Sequence, residues 1–299
     1  MQPKIPIQIN YAFLTSDNYP SILKIAKYRY FSGNVLKEGN SYTKNQNVFL
    51  YVPSGLDPLN LKEIQIEENC IIKFSEKCPE KEGLTGGSLG LGIFNALFIK
   101  GGFKEGDRVL VVGLSSLIKL EILTQIIINK KGKIFTYNEN EVINSEFNEF
   151  IEERNINEAY CFQKETFLNN FMEKTEGLRA DIVIDFRKSH TSNDINLIID
   201  CLAPNGRLVI NNFNIQINPP HSLALFTKNA SLNYNFEECY GFYQLELGKS
   251  LNLIDQMLEM IAEKQIQISI PEEIKNFEEL EIMEKKENRQ EEYLIQVNK

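Results

Sequence analysis

Arg108-Val109-Leu110-Val111-Val112-Gly113 is followed by a strongly apolar stretch from Leu117 to Asn129, by Lys130-Lys131-Gly132, and by Lys133-Ile134-Phe135-Thr136-Tyr137. The first run is continuously apolar after Arg108, the pattern of a strand buried on both faces of a parallel sheet. The second reads as a helix, ended by cations at its C-terminus and a glycine just beyond. The third is a strand again. Strand, helix and strand within about thirty residues make a βαβ unit with a right-handed crossover.

The alternation continues toward the C-terminus. A charged helix over 146–154 leads to a strand at Glu158-Ala159-Tyr160-Cys161-Phe162, and a helix over 166–175 to Ala180-Asp181-Ile182-Val183-Ile184-Asp185. A helix over 194–202, ended by Pro204-Asn205-Gly206, precedes the strand Arg207-Leu208-Val209-Ile210. Five strands interleaved with helices specify an α/β, doubly wound parallel sheet of Rossmann type. An edge strand is expected over 230–236, a long helix over 251–263, and strand-like pieces over 267–270 and 293–297. On the N-terminal side, Ile5-Pro6-Ile7-Gln8-Ile9 alternates and Val48-Phe49-Leu50-Tyr51-Val52 is a compact run closed by Pro53-Ser54-Gly55. Short strands of this kind over 5–82 suit a small antiparallel barrel. Between the two regions, Leu84-Thr85-Gly86-Gly87-Ser88-Leu89-Gly90-Leu91-Gly92 leads into a helix over 93–99, stopped by Gly101-Gly102. This glycine run reads as helix packing in preference to a phosphate-cradling loop, because no strand precedes it.

Composition narrows the function classes. With 299 residues the chain is long enough for two domains, and its net charge of −9 opposes a nucleic-acid surface. There is no apolar run of transmembrane length and no signal-peptide core near Met1, so the expected address is cytoplasmic, away from membranes. The five cysteines (Cys70, Cys78, Cys161, Cys201 and Cys239) are scattered without a C-x-x-C spacing, and read as reduced thiols. The two histidines, His190 and His221, have no ligand-like neighbour three or four residues away. No metal site is expected.

Three segments in order carry a resemblance to a known family. Gly33-Asn34-Val35-Leu36-Lys37-Glu38-Gly39 fits G-x-V-x-x-x-G. Gly106-Asp107-Arg108-Val109-Leu110-Val111 is similar to P-G-D-R-V-L-V, and Leu202-Ala203-Pro204-Asn205-Gly206-Arg207-Leu208-Val209 to L-A-P-G-G-R-L-V. With these the chain resembles the medium-chain dehydrogenases/reductases, in particular the zinc-free quinone reductases and the enoyl reductases of polyketide and fatty-acid synthases. The resemblance implies a Rossmann-type nucleotide domain at 91–241. It further implies a GroES-like, mostly-β barrel domain joined from 1–90 and 242–299.

The cofactor-binding glycines are where the chain departs from the family. A glycine-rich turn after the first sheet strand brings the helix N-terminus against the cofactor pyrophosphate, and any Cβ there would obstruct it. Here the stretch is Gly113-Leu114-Ser115-Ser116-Leu117-Ile118-Lys119, and only Gly113 survives. Losing two charge-assisted phosphate bonds, at about 1.5–3 kcal/mol each, lowers affinity about a hundredfold or more. Asn211-Asn212 stands where the family has a glycine near the nicotinamide, and Glu291-Glu292 replaces a glycine and a cation. The segment Asn138 to Asn144 lacks the lysine of the enoyl reductases, leaving the catalytic residues unknown.

Candidate cofactor contacts are Gly113, Ser115, Ser116, Thr136, Asn138 and Asn211, with the two serines also able to cap the following helix. Thr136-Tyr137-Asn138 lacks the acidic residue that holds an NAD ribose, which favours NADPH if any cofactor binds. Asp17 and Tyr19 fall on the family's substrate side, and Lys164 and Glu165 near an acidic position of the enoyl reductases. Turn and surface roles explain these four as well. The acidic stretch 278–292 reads as a solvated helix face. The expectation is a degenerate, non-catalytic enoyl-reductase-like protein, a docking or structural module that forms a homodimer or joins a synthase-type partner. The alternative is an NADPH-dependent reductase of an enoyl thioester, quinone or similar activated alkene.

Overall fold

Alternating and continuous apolar runs separate the chain into two kinds of sheet. In a computed structural model, the described residues are 4–14, 28–38, 41–52, 63–187, 190–212, 215–236, 239, 247–271, 273–274 and 293–296. They divide into one unit of Met1–Leu91 with Glu238–Lys299 and a second of Gly92–Glu237. The N-terminal elements are β1 (Lys4–Leu14), β2 (Tyr28–Val35), β3 (Asn47–Tyr51), β4 (Glu63–Glu67), β5 (Ile71–Lys73) and helix α1 (Glu80–Phe94). Next come β6 (Arg108–Val112), α2 (Leu117–Asn129), β7 (Lys133–Tyr137), α3 (Glu141–Glu153), β8 (Ala159–Phe162) and α4 (Phe167–Lys174). Then follow β9 (Ala180–Asp185), α5 (Ser192–Cys201), β10 (Leu202–Ile210), α6 (Pro219–Thr227) and β11 (Ser231–Tyr234). The chain closes with α7 (Leu247–Ala262), β12 (Glu273–Ile274) and β13 (Tyr293–Gln296).

In the first unit the strands run β12-β13-β1-β2-β3-β5, with β4 also on β1. All pairings are antiparallel except β12 with β13. Strand β1 serves β4 through Lys4–Gln8 and β13 through Tyr11–Leu14, and its register against β2 shifts between Ile9 and Tyr11. One strand shared this way bends the sheet into a curled half-barrel. Its inner face collects Ile5, Ile7, Ile9, Phe31, Val48 and Leu50.

The glycine run lies within α1, not ahead of it. Added Cβ atoms would meet Phe74 and Cys78 at Gly83, Ile261 and Ile268 at Gly86, Phe49 and Ile254 at Gly87, and Met257 at Gly90. Those positions, spaced three and four apart, form one face. Close approach of β3 and α7 offsets the poor helix propensity of glycine. Beyond α1 the helix widens into a π-helical turn over Asn95–Lys100. It stops at Gly101 and Gly102, the latter left-handed at φ 56.

In the second unit the order is β11-β10-β9-β6-β7-β8, every neighbour parallel. The order reverses between β6 and β9, the topological switch point of a Rossmann-type sheet. Leu110, Phe135, Phe171, Val183 and Leu208 fill the core beneath it.

Several boundaries differ from the sequence reading. Helix α3 starts at Glu141, five residues before the expected 146, because Asn140 caps it by accepting the Val142 amide at 3.0 Å. Pro204-Asn205-Gly206 is not a gap before the strand. Strand β10 pairs through Leu202 and again from Arg207, with Asn205 left-handed at φ 59 in the bulge between. Residues 267–270 form no strand, as Ile266 and Ile268 are buried without a ladder. Helix α6 was not anticipated. Asp17, Tyr19, Gly39, Glu291, Glu292 and the acidic stretch over 278–292 lie outside the described residues.

Candidate functional site

In a doubly wound sheet the chemistry sits outside the C-terminal ends of the strands. Residues following β6, β7, β9 and β10 meet there. Gly113 leaves β6 left-handed at φ 67, and its amide donates to the Tyr137 carbonyl at 2.9 Å. Ser115 is half-buried in the turn. Ser116 is the N-cap of α2, its Oγ accepting the Lys119 amide at 3.1 Å. One of the amides left free at the start of α2 is therefore satisfied by the chain itself.

The other candidates are similarly engaged. Asn138 donates through Nδ2 to the Leu114 carbonyl and accepts the Asn140 amide through Oδ1 at 3.0 Å. Thr136 lies buried within β7 and donates to the Tyr160 carbonyl at 3.4 Å. Asn211 donates its amide to the Asp185 carbonyl at 2.9 Å, and its Oδ1 accepts from Asn235 Nδ2 at 2.7 Å. Asn235 Oδ1 in turn accepts from Asn95 Nδ2 at 2.6 Å, completing a buried amide chain.

A charge cluster that the sequence reading missed occupies the end of β9. Asp185 has a fully buried side chain. It accepts from Arg187 Nη2 at 2.7 Å, from Arg187 Nε at 3.1 Å and from the Arg187 backbone amide at 3.0 Å. His190 Nε2 lies 3.0 Å from the same carboxylate, and Arg187 Nη1 donates to Asp194 at 3.0 Å. Burial pushes the Asp185 carboxyl up, but the hydrogen bonds from His190 and Arg187 and the guanidinium charge outweigh it, leaving it below 3.8. The Asp194 carboxyl is also lowered: burial is overcome by the Thr191 hydrogen bonds and by Arg187. An ionised carboxylate only accepts, so His190 carries its proton on Nε2, while its buried Nδ1 has no partner among the described residues. The stem of Arg187 lies against Gly113, where an added Cβ would strike Arg187 Cγ. A signal was present in the sequence: a carboxylate closing an otherwise apolar strand, with an arginine two residues on.

The other polar candidates among the described residues make structural contacts. His221 Nδ1 accepts the Asn218 amide at 3.4 Å, which puts its proton on Nε2 facing Ser192 Oγ at 3.3 Å. That tautomer cannot accept the serine proton, so the pair braces α5 on α6 and activates no nucleophile. Lys164 pairs with Glu139 at 3.3 Å in solvent, and Glu165 is exposed. The five cysteines are free, and burial followed by the Asp200 charge pushes the Cys201 thiol up to about 12. Among the described residues no group of three His, Cys, Asp or Glu side chains is placed to hold a metal ion, and no helix is long and apolar enough to cross a membrane.

No protein-family model matches the chain. It is 28% identical over 132 residues to quinone oxidoreductase-like protein 1 of Mus musculus, a match spanning 40% of this chain and only 38% of that protein. A putative NADPH:quinone reductase from Bacillus thuringiensis superposes with a TM-score of 0.75 at 12% identity, covering 99% of this chain and 90% of the other. The CurK enoyl reductase does so with a TM-score of 0.71 at 14% identity, covering 99% and 91%. At such identities the likeness is one of fold, and the half-barrel and six-stranded parallel sheet follow the same plan: the chain has the fold of the medium-chain quinone oxidoreductases and enoyl reductases.

Proposed function

We propose that the chain is an enoyl-reductase-like protein that performs no hydride transfer and acts in the cytoplasm as a partner-docking module. The observation that carries this reading is that the turn after β6 is closed by the chain's own groups. Ser116 takes the Lys119 amide, and Leu117 and Lys119 stand where small residues belong. The residues present do not fit a dinucleotide pyrophosphate. The test is a thermal-shift titration. A ligand at a hundred times its Kd stabilises by about 2.7 kcal/mol, so about 1 mM NADPH or NADH should leave the melting temperature unchanged. A rise of several degrees at tenfold lower NADPH would overturn it.

Such a rise would favour the second reading, an NADPH-dependent reductase of an enoyl thioester, quinone or similar activated alkene. Its support is the left-handed Gly113, which keeps the entrance to the turn, and the name of the similar Bacillus thuringiensis protein. In that case the cofactor supplies the hydride.

The docking partner proposed is a second copy of the chain at β11. This strand ends the parallel sheet, with Tyr234 exposed, and the helix feeding it exposes Leu223 and Phe226. An open edge invites pairing, and an isologous contact about a two-fold axis supplies it. The Asn235 amide donates inward to Ile210, so by alternation the Leu232 amide faces outward. Leu232→Pro therefore removes an outward donor while sparing the inner ladder, and is expected to convert a dimer to monomer by light scattering. Wild-type monomer at tens of micromolar would refute the self-pairing. Co-purification with a synthase-type protein would transfer the edge to that partner.

A further inference from the structure

The cluster at the end of β9 does more than fill space. It lies at the switch point between β6 and β9, where a sheet of this plan receives an anionic ligand against the turn after its first strand. Two properties make such a place receptive: a left-handed glycine that lets a ligand approach the backbone, and donors left free to face it. Gly113 provides the first. The space it opens is taken by the stem of Arg187, which lies on the glycine where a side chain would collide. Three of the five N–H donors of Arg187 are engaged as well. Each guanidinium nitrogen already donates to a carboxylate, Nε and Nη2 to Asp185 and Nη1 to Asp194. The carboxylates outnumber the guanidinium, so an arriving pyrophosphate would meet negative charge with its counter-cation turned inward. Arg187 is held on three sides: its backbone amide is fixed to Asp185, its carbonyl accepts from Asn212 Nδ2 at 3.3 Å, and its head bridges to α5.

We infer that Arg187 is a built-in plug of the nucleotide crevice, anchored by Asp185 and Asp194, and that it weakens dinucleotide binding over and above the effect of the missing glycines. This deepens the reading of a protein without hydride transfer and rests on it. The experiment compares the wild-type chain with the double variant Asp185→Asn/Arg187→Gly, which removes the plug and its buried counter-charge together. Both are titrated with NADPH by fluorescence, with the fold of the variant checked by near-UV circular dichroism. The wild type is expected to show no saturable change up to about 1 mM, and the variant to saturate with affinity at least about tenfold tighter than that limit. A folded variant that binds no better than wild type overturns the plug and leaves the non-catalytic reading standing. Micromolar NADPH binding by the wild type overturns both. Should the variant fail to fold, nitrogen-15 spectra of the wild-type Arg187 Nε–H decide. That proton should exchange slowly and stay unshifted in inorganic pyrophosphate. A saturable shift would show that the guanidinium can meet an anion, and the plug would be refuted.

Discussion

Arg187→Met, made alone, is expected to destabilise the Rossmann-type unit by about 3–5 kcal/mol, the usual penalty for leaving one charge of a buried pair behind. The Asp185 side chain is fully buried and would keep only the His190 contact and the Arg187 backbone amide. Asp185→Asn/Arg187→Met should recover much of the loss, because the double variant buries no unpaired charge. Urea unfolding of the three proteins at pH 7 measures this directly. A single variant within about 1 kcal/mol of wild type would mean that the Asp185 carboxylate is solvated or neutral, against its buried geometry. The pH dependence gives an independent sign. The folded Asp185 and Asp194 carboxyls lie below their ordinary 3.8, so their contribution is complete above that value and is lost as pH falls through the folded values. The gap between wild type and double variant should accordingly shrink in acid.

The same cluster bears on whether this fold carries its usual chemistry here. A parallel sheet with a left-handed glycine after its first strand is a scaffold that can receive a nucleotide, and fold alone does not fix whether it does. In this chain the polar groups at the strand ends turn to one another. Asn138 holds the Leu114 carbonyl, Asn211 holds Asn235, and Arg187 lies between two carboxylates. Each contact satisfies a group that would otherwise be left for a ligand or for water.

How much of this was legible follows from where the information lies. Helix α2 and strands β7 and β9 match the sequence reading residue for residue, because buried strands are unbroken apolar runs and helix ends carry local signals such as Lys130-Lys131-Gly132. Helix α6 escaped because it is short and exposes Leu223 and Phe226, so no buried stripe marks it. Its start, Asn218 capping His221 with Pro219 and Pro220 between, is a helix signal that was available. The candidate contacts proposed from the sequence fall at or just beyond the strand ends. The partners chosen there were not legible: Asn138 reaches back to Leu114, Asn235 to Asn95, and Arg187 to Gly113. Pairings between residues so far apart are set by tertiary packing, and local patterns do not encode them.

Gly33→Ala should be as damaging to the half-barrel as Arg187→Met is to the parallel sheet. Gly33 sits opposite Ile9, immediately before the register shift that bends β1 against β2. An added Cβ would strike the Gln8 carbonyl oxygen and come within 2.8 Å of Ile7 Cγ2. A backbone oxygen cannot swing aside as a side-chain end can, and β1 cannot retreat because β4 pairs with it over Lys4–Gln8. The expected loss is about 3 kcal/mol, the upper end for a forced methyl in a packed site. Gly248→Ala, in α7 of the same unit, is the matched control. Among the described residues nothing lies within 4 Å of its added Cβ, so it should be neutral or stabilise by up to about 1 kcal/mol through helix propensity. If Gly33→Ala melted together with that control, the close approach of β1 and β2 would not be what curls the sheet. If it unfolds as expected, the glycine of the G-x-V-x-x-x-G segment answers to strand packing, a demand that persists whether or not a cofactor ever binds.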